Sequence, residues 1–342
     1  RFLRKIESKI FKNLGKLFGH TTVIKGVDAV KSAHLLSEKW GMYTRPVAIG
    51  LDASRFDQHV SRKALEFEHS VYLEYFKNPR HKKRLKMLLD WQLKNVCRGY
   101  CPDGTLKYTT DGGRMSGDMN TSLGNCLLMC CMIKAYLMEK GIDGQLANNG
   151  DDCVVFMERD NVEKFQEGLF EWFVKMGFNM KMEEPVYEFE HIEFCQTKPV
   201  YLNESWIMCR NPSTALAKDA VFMENDPTVG VIKGWLDAVG KGGLALTGGI
   251  PIFQEFYRMM VNSGEVTGKK SCKEIFTWGR RQLIGRLDGK YTHIKPETRA
   301  SFYYAFGVLP DLQIEIEKYY HNITIDVTKY DEDVVFEHNL GI

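Results

Sequence analysis

The feature that most constrains this chain is the tetrapeptide Asn149-Gly150-Asp151-Asp152, set between short apolar runs at 145–147 and 153–156. Asn-Gly between two such runs is the strongest short-range signal for a β-hairpin. A hairpin here presents two neighbouring carboxylates at its tip on a rigid support. Adjacent acids in an apolar neighbourhood repel one another, and a divalent cation is the natural compensation. The competing reading is a plain turn in which Asp accepts local backbone hydrogen bonds.

A second acidic pair follows a predicted buried strand. Residues 47–51, after Pro46, read as a strand that ends in a polar segment holding Asp52 and Asp57. Asp52 stands where that strand delivers a carboxylate to a site shared with the hairpin tip. Carboxylates converging from two strands can hold two metal ions about 3.5–4 Å apart, which activate an attacking hydroxyl and stabilise a leaving phosphate oxygen. A strand-end or helix-capping acid is the alternative for Asp52.

The third element spans residues 112–125. Gly112, Gly113 and Gly117 let a loop approach a ligand closely. A helix predicted to begin near Gly117 or Asp118 and to run to Lys140 places Thr121 and Asn125, four apart, on one face. Ser116 lies just before it. The structural alternative is an N-cap at Ser116 or Asp118 and a satisfied core amide at Asn125.

Composition narrows the class. A chain of 342 residues makes two to three domains or one multi-lobed enzyme, and 44% hydrophobic with 26% charged residues excludes a disordered or collagenous chain. The longest uninterrupted apolar run, 126–133, is far short of the roughly 20 residues of a membrane span, and no signal peptide is visible. None of the nine cysteines falls in a C-x-x-C pair, and His34, His59, His69 and His81 form no H-x-x-x-H pair, so reduced thiols are expected and zinc is not. The net charge of +2 conceals two basic runs, each with six Lys or Arg: residues 1–16, opposed by Glu7 alone, and residues 77–86, with no acid. Such runs are solvated faces or polyanion-binding surfaces. Acids gather at 183–193 and 331–337.

Helical periodicity is predicted over residues 1–40, 61–95 and 161–176, and again in most of the chain beyond 208. A turn-rich stretch covers 99–113, and residues 189–206 alternate like strands. Residues 234–249 read as a glycine-rich connector. Residues 264–271 superficially resemble a phosphate-binding loop, but the glycine spacing is one short and Lys270 precedes Ser271, so the segment reads as a basic turn. Phe302, Tyr303 and Tyr304 read as core, with a single-stranded RNA platform as the alternative. Strands in the middle and helices around them predict an α+β fold, with helices packed on a small antiparallel sheet.

Taken together, Asp52-x4-Asp57, Ser116-Gly117-x3-Thr121-x3-Asn125 and Gly150-Asp151-Asp152 resemble, in order and spacing, palm motifs A, B and C of viral RNA-dependent RNA polymerases. The segment SGDMNTSLGN is similar to that of plant positive-strand RNA viruses of the tombusvirus and luteovirus group. GFNMKMEEP (177–185) resembles motif D, and IEFCQTKPV (192–200) resembles the motif E hairpin that grips the primer strand. The resemblance implies a right-hand polymerase: an antiparallel-sheet palm with a ferredoxin-like or RRM-like core, partial helical fingers and a mostly helical thumb. Residues 1–45 would be part of the fingers, 46–60 palm, 61–111 a fingers insertion, 112–207 palm and 208–342 thumb.

By the same resemblance Asp52 and Asp151 are the principal metal ligands, assisted by Asp152, for two Mg²⁺ ions or their Mn²⁺ substitutes. Asp57, Ser116, Gly117 and Asn125 meet the incoming ribonucleotide, with Thr121 supporting that network. Lys181 is the candidate motif D proton donor to pyrophosphate, with Lys175 next. Lys82, Lys83 and Arg84 in the second basic run, and Phe194 and Cys195 in motif E, are candidate RNA contacts. A site that hydrogen-bonds a 2′-hydroxyl rejects a deoxynucleotide, because its own polar groups then go unpaired.

Expected partners are template and product RNA, ribonucleoside triphosphates and a viral auxiliary replication protein, with no membrane span in this chain. The expected location is the host cytoplasm, at membrane-associated replication complexes. The basic fingers motif F of the family is not found, and the chain begins at Arg1. The expectation is therefore a piece that folds around its palm and has little or no polymerase activity alone. Two other classes fit parts of the pattern: a two-metal nuclease or phosphatase, which has no need of Asp57, Ser116 and Asn125, and a non-catalytic RNA-binding module.

Overall fold

The computed structural model describes residues 2–223, 228–265 and 290–327. The Gly268-Lys269-Lys270-Ser271 turn and the acidic run at 331–337 lie outside the described residues. The fold is mixed helix and antiparallel sheet, as expected. Its strands are β1 (Pro46–Ala53), β2 (Lys94–Cys101), β3 (Gly104–Asp111), β4 (Gly144–Asn149), β5 (Asp152–Glu158), β6 (Met180–Met182), β7 (Thr197–Leu202) and β8 (Ser205–Arg210).

Contacts divide the chain into two compact units, residues 1–25 with 34–196, and residues 26–33 with 197–342. In the first, four strands form an antiparallel sheet in the order β4-β5-β1-β6. Residues 47–51 of β1 and 153–157 of β5 are continuously buried. Their unbroken apolar runs, without polar alternation, suit strands covered on both faces. The Thr121–Glu139 helix joins the same core through Cys126, Met129, Cys130, Ile133 and Tyr136, and the Glu7–Phe18 helix adds Ile10, Leu14 and Phe18. The Thr121–Glu139 helix is also long and apolar enough to cross a membrane, but 61% of its apolar window is buried inside the protein. Core helices of folded proteins pass the same test.

Several local expectations are corrected. The 61–95 stretch is two helices, Arg62–Glu74 and Pro79–Asp90, because Asn78 caps the second through its side chain and Pro79 occupies its first turn. Residues 99–113 are not merely turn-rich: a turn at 101–104 closes the β2–β3 hairpin. The 161–176 helix breaks at Gly168, whose φ is +73°, into Val162–Gln166 and Leu169–Lys175. In 189–206 the alternation holds only from Thr197, after a short 3₁₀ turn at Phe189–His191.

The second unit holds the β7–β8 hairpin and the helices Pro212–Asp219, Val229–Thr247, Phe253–Ser263, Pro296–Phe306 and Pro310–His321. The glycine-rich connector expected at 234–249 is instead helix. Its glycines serve close packing: a Cβ on Gly240 would lie 2.7 Å from Val261 Cγ2 and 2.8 Å from the Tyr257 carbonyl oxygen, and one on Gly243 would collide with the Tyr257 ring. Phe302 is fully buried as expected, whereas Tyr303 and Tyr304 are exposed, which corrects the core reading for those two.

Candidate active site

The tip of the β4–β5 hairpin is built by a two-residue loop, Gly150-Asp151, between the paired residues Asn149 and Asp152. The turn therefore centres one residue later than Asn149-Gly150. Gly150 has φ +95°, a conformation that favours glycine. Asn148, fully buried, clamps the loop: its Nδ2 donates to the Gly150 carbonyl at 2.6 Å, and its Oδ1 accepts from the Gly150 amide at 3.3 Å. The last register pair of β1 with β5 is Leu51–Cys153, so Asp52 emerges beside the start of β5.

β1 continues through Arg55, a non-glycine residue held at φ +51°, into a four-residue helix, Phe56–His59, that carries Asp57. Phe56 is buried and stacks on Phe178 with ring centroids 4.6 Å apart, which fixes that turn against the segment leading to β6. The loop before the Thr121–Glu139 helix is tied to the same turn by its backbone: Arg114 N donates to Asp57 O and Gly113 N to Val60 O, each at 2.8 Å. Ser116 Oγ then donates to Asp57 Oδ2 at 2.6 Å, and Asn125 Nδ2 donates to Asp57 Oδ1 at 2.9 Å. Thr121 Oγ1 donates to the Met115 and Asp118 carbonyls at 3.0 and 2.9 Å, stapling the loop to the first turn of the Thr121–Glu139 helix. That helix starts at Thr121, later than expected, because residues 115–120 are spent on the loop.

Asp52, Asp57, Ser116, Thr121, Asn125 and Asp151 all line one cleft of about 690 Å³. Ser116 and Asn125 are thus not the N-cap and satisfied core amide of the structural alternative. Asn125 Oδ1 is buried with no hydrogen-bond partner among the described residues, as are Asn149 Oδ1 and Ser122 Oγ at the same cleft. Gly117 is exposed in the loop beside Ser116.

Asp152 is directed elsewhere. Its Oδ2 accepts from the Cys195 amide at 2.9 Å, while Cys195 Sγ accepts from Asn149 Nδ2 at 3.0 Å. Cys195 reaches this position with φ +54°, and burial pushes its thiol up to about 12, so it stays protonated. Cys195 therefore braces the acidic turn. Its neighbour Phe194 is 3% exposed, so its ring offers no surface to an RNA strand, contrary to expectation. Lys181 lies directly opposite Asp52 in the β1–β6 ladder, and the two side chains share a face of the sheet. Lys82, Lys83 and Arg84 sit on the Pro79–Asp90 helix, none of them lining the cleft. Lys82 is paired with Glu74 at 3.2 Å, and Lys83 and Arg84 are exposed.

The electrostatics of the cleft are those of acids forced together. Burial holds the Asp151 carboxyl above its ordinary range, and the charges of Asp57 and Asp52 push it the same way. Burial also raises Asp152, against the pull of the Cys195 amide, with Asp151 and Asp52 adding repulsion. Among the described residues no three His, Cys, Asp or Glu side chains form a ready-made metal cage. Mg²⁺, however, is usually held by one or two carboxylates together with substrate phosphates. Hard carboxylate oxygens at Asp52 and Asp151, open to the cleft, suit that mode, with Asp152 partly committed to Cys195.

Residues that sequence patterns alone do not single out support the site. Glu68, fully buried, accepts from Tyr72 Oη at 2.7 Å and Asn120 Nδ2 at 2.7 Å, and pairs with the guanidinium of Arg114, itself buried. Gly124 makes room for this pair, because a Cβ there would meet both Glu68 and Arg114. The pair anchors both ends of the loop that carries Ser116. Its members lie 46 residues apart with no local signature.

Comparison with known proteins agrees with this geometry. The family described as viral RNA dependent RNA polymerase matches residues 1–328. The RNA-directed RNA polymerase of Oat chlorotic stunt virus (isolate United Kingdom) is 52% identical over 349 residues, covering 98% of this chain and 46% of the relative. That of Tobacco necrosis virus (strain A) is 44% identical, covering 95% and 45%, and that of Tomato bushy stunt virus (strain Cherry) is 44% identical, covering 93% and 38%. The chain spans less than half the length of these relatives. A family match over nearly the whole chain, on a fold that gathers the three motifs into one cleft, means that the chain belongs to the viral RNA-dependent RNA polymerases.

Proposed function

We propose that this chain carries the catalytic palm of an RNA-directed RNA polymerase that copies a plant-virus RNA genome by nucleotidyl transfer. The observation that carries the proposal is the Asp57–Ser116–Asn125 hydrogen-bond set in the same cleft as Asp52 and Asp151. A nuclease or phosphatase needs clustered acids but has no use for a ribose-reading set beside them.

In this reading the nucleotide's ribose hydroxyls engage Asp57, Ser116 and Asn125, including Asn125 Oδ1, which has no hydrogen-bond partner among the described residues. Thr121 and Gly117 keep the loop in a shape that admits the sugar. Divalent cations, Mg²⁺ or Mn²⁺ in its place, held by Asp52 and Asp151 with help from Asp152, would neutralise the transferring phosphate and acidify the attacking 3′-hydroxyl. Holding the two reactants in one cleft contributes the proximity that lowers the entropic part of the barrier. Lys181 Nζ, across the ladder from Asp52, is the group we assign to protonate the departing pyrophosphate. Lys83 and Arg84, together with the exposed lysines of the Glu7–Phe18 helix, are assigned to RNA phosphates, giving binding that weakens with salt.

The hand-like layout belongs to the same proposal: residues 46–60 and 112–207 as palm, 1–45 and 61–111 in the fingers and 208–342 as thumb. So do action at membrane-associated replication complexes in the host cytoplasm and an auxiliary replication protein as partner. The test is RNA-templated incorporation of ribonucleotides by the full-length protein with Mg²⁺. Wild type should extend a primer and Asp151→Ala should not; extension by Asp151→Ala at the wild-type rate would overturn the proposal.

A further inference from the structure

One cation at the cleft belongs to none of the motifs. Residues 22–24 lie alongside β4 through one parallel bridge: Val23 pairs with Asn148, Ile24 N donates to the Asn148 carbonyl at 2.9 Å, and Asn148 N donates to the Thr22 carbonyl at 2.9 Å. Asn148 is the residue that clamps the acidic turn, so the segment is fixed to the most rigid part of the site. The next residue, Lys25, is exposed and lines the cleft with Asp52 and Asp151. It has no ion-pair partner among the described residues. Its charge is among those that act on the Asp151 and Cys195 side chains.

Sheet order shows what this ammonium faces. In β4-β5-β1-β6 the ribose-reading Asp57 follows β1, and Lys181 stands on β6 opposite Asp52. Under the proposed function, which gives the ribose to Asp57 and the pyrophosphate to Lys181, the incoming nucleotide takes the β1–β6 side of the acids. Lys25 follows a segment paired with β4, at the opposite edge of the sheet. The anionic reactant that must enter there is the strand supplying the attacking hydroxyl.

We propose that Lys25 binds a backbone phosphate near the 3′ end of the growing RNA strand and so holds the attacking terminus at Asp151. The assignment rests on the polymerase reading. An exposed lysine on a backbone-paired segment can be replaced without disturbing the core, so the variant keeps its fold.

The experiment uses the full-length protein with Lys25→Ala and Lys25→Arg, and measures equilibrium binding of a primer–template RNA across a salt series without catalysis. It also measures single-nucleotide extension. Lys25→Ala should weaken RNA binding by about tenfold and flatten the slope of log K against log salt by nearly one unit, the signature of one lost phosphate contact. Lys25→Arg should restore both, and the KM for the ribonucleotide should stay at the wild-type value. Unchanged RNA affinity and salt slope would overturn the assignment, as would a defect confined to the nucleotide KM. Failure of the polymerase reading shows itself separately, as wild type that does not extend primers or Asp151→Ala that does.

Discussion

Asn125 donates from Nδ2 to Asp57 Oδ1 at 2.9 Å while its own Oδ1 stays buried with no hydrogen-bond partner among the described residues. A buried amide oxygen left unpaired costs on the order of 1–3 kcal/mol, and a ligand hydroxyl that donates to it recovers that cost. The same Asp57 carboxylate takes the Ser116 hydroxyl on its other oxygen. Both oxygens are thereby fixed in direction by residues 59 and 68 positions away. Under the proposed function this arrangement, assembled from two distant segments, is what reads the sugar.

Asp57→Ala should therefore erase the preference for ribonucleotides more than it erases synthesis. Sites built to hydrogen-bond a substrate hydroxyl discriminate against its absence by up to about 10⁴–10⁵-fold. A fall of about 100-fold or more in the ratio of ribo- to deoxynucleotide incorporation is expected. It is read from competing single-nucleotide extension by the full-length protein, and an unchanged ratio would contradict the assignment.

The Glu68–Arg114 pair should be a stability determinant that acts through the motif B loop. Removing one partner of a buried ion pair costs about 3–5 kcal/mol, because the other charge is stranded. Glu68→Ala should lower the midpoint of urea unfolding accordingly. Replacing both residues by apolar ones of similar volume should recover most of the loss, since no buried charge then remains. A single variant as stable as wild type would show that the pair is open to water.

Gly243→Ala offers a test with opposite signs. In an unpacked helical segment, alanine stabilises relative to glycine by about 1 kcal/mol. Against the Tyr257 ring it must instead force a shift, at a typical cost of about 1–3 kcal/mol. Thermal unfolding should therefore move down, and an upward shift would return this stretch to the role of a loose connector.

Asp151 should cost the fold stability at neutral pH when no divalent ion is bound. Its carboxyl is held above the ordinary range, first by burial and then by Asp57 and Asp52. A carboxyl raised in the folded state favours folding while protonated and loses that contribution as pH rises through its folded value. Asp151→Asn should accordingly raise the unfolding temperature at neutral pH in the absence of divalent ions. The gain should shrink as pH falls to the ordinary carboxylate range, where wild type is protonated too. A gain independent of pH, or none, would contradict the electrostatic origin.

Much of this site is legible in the sequence because its chemistry is written in short, local signals. Gly150 announces the turn, the apolar runs beside it announce the strands, and the four-residue spacing of Thr121 and Asn125 announces a shared helix face. What is not legible depends on long-range packing. The glycines at 240 and 243 look like flexibility until Tyr257 is seen against them. Glu68 looks like one more acid on an amphipathic helix until Arg114 is found beside it. Phe194 and Cys195 sit in a segment that suggests strand contact, yet one is core and the other braces Asp152. Lys25 carries no motif, and its place at the cleft follows only from the pairing of Val23 with Asn148.

The account rests on acids from β1 and from the β4–β5 turn sharing divalent ions, and Mn²⁺ binding followed by electron paramagnetic resonance reads this most directly. In the full-length protein with a ribonucleoside triphosphate present, wild type should take up Mn²⁺, and Asp52→Asn and Asp151→Asn should each weaken that uptake by at least about tenfold. Wild-type uptake by both variants would contradict the account.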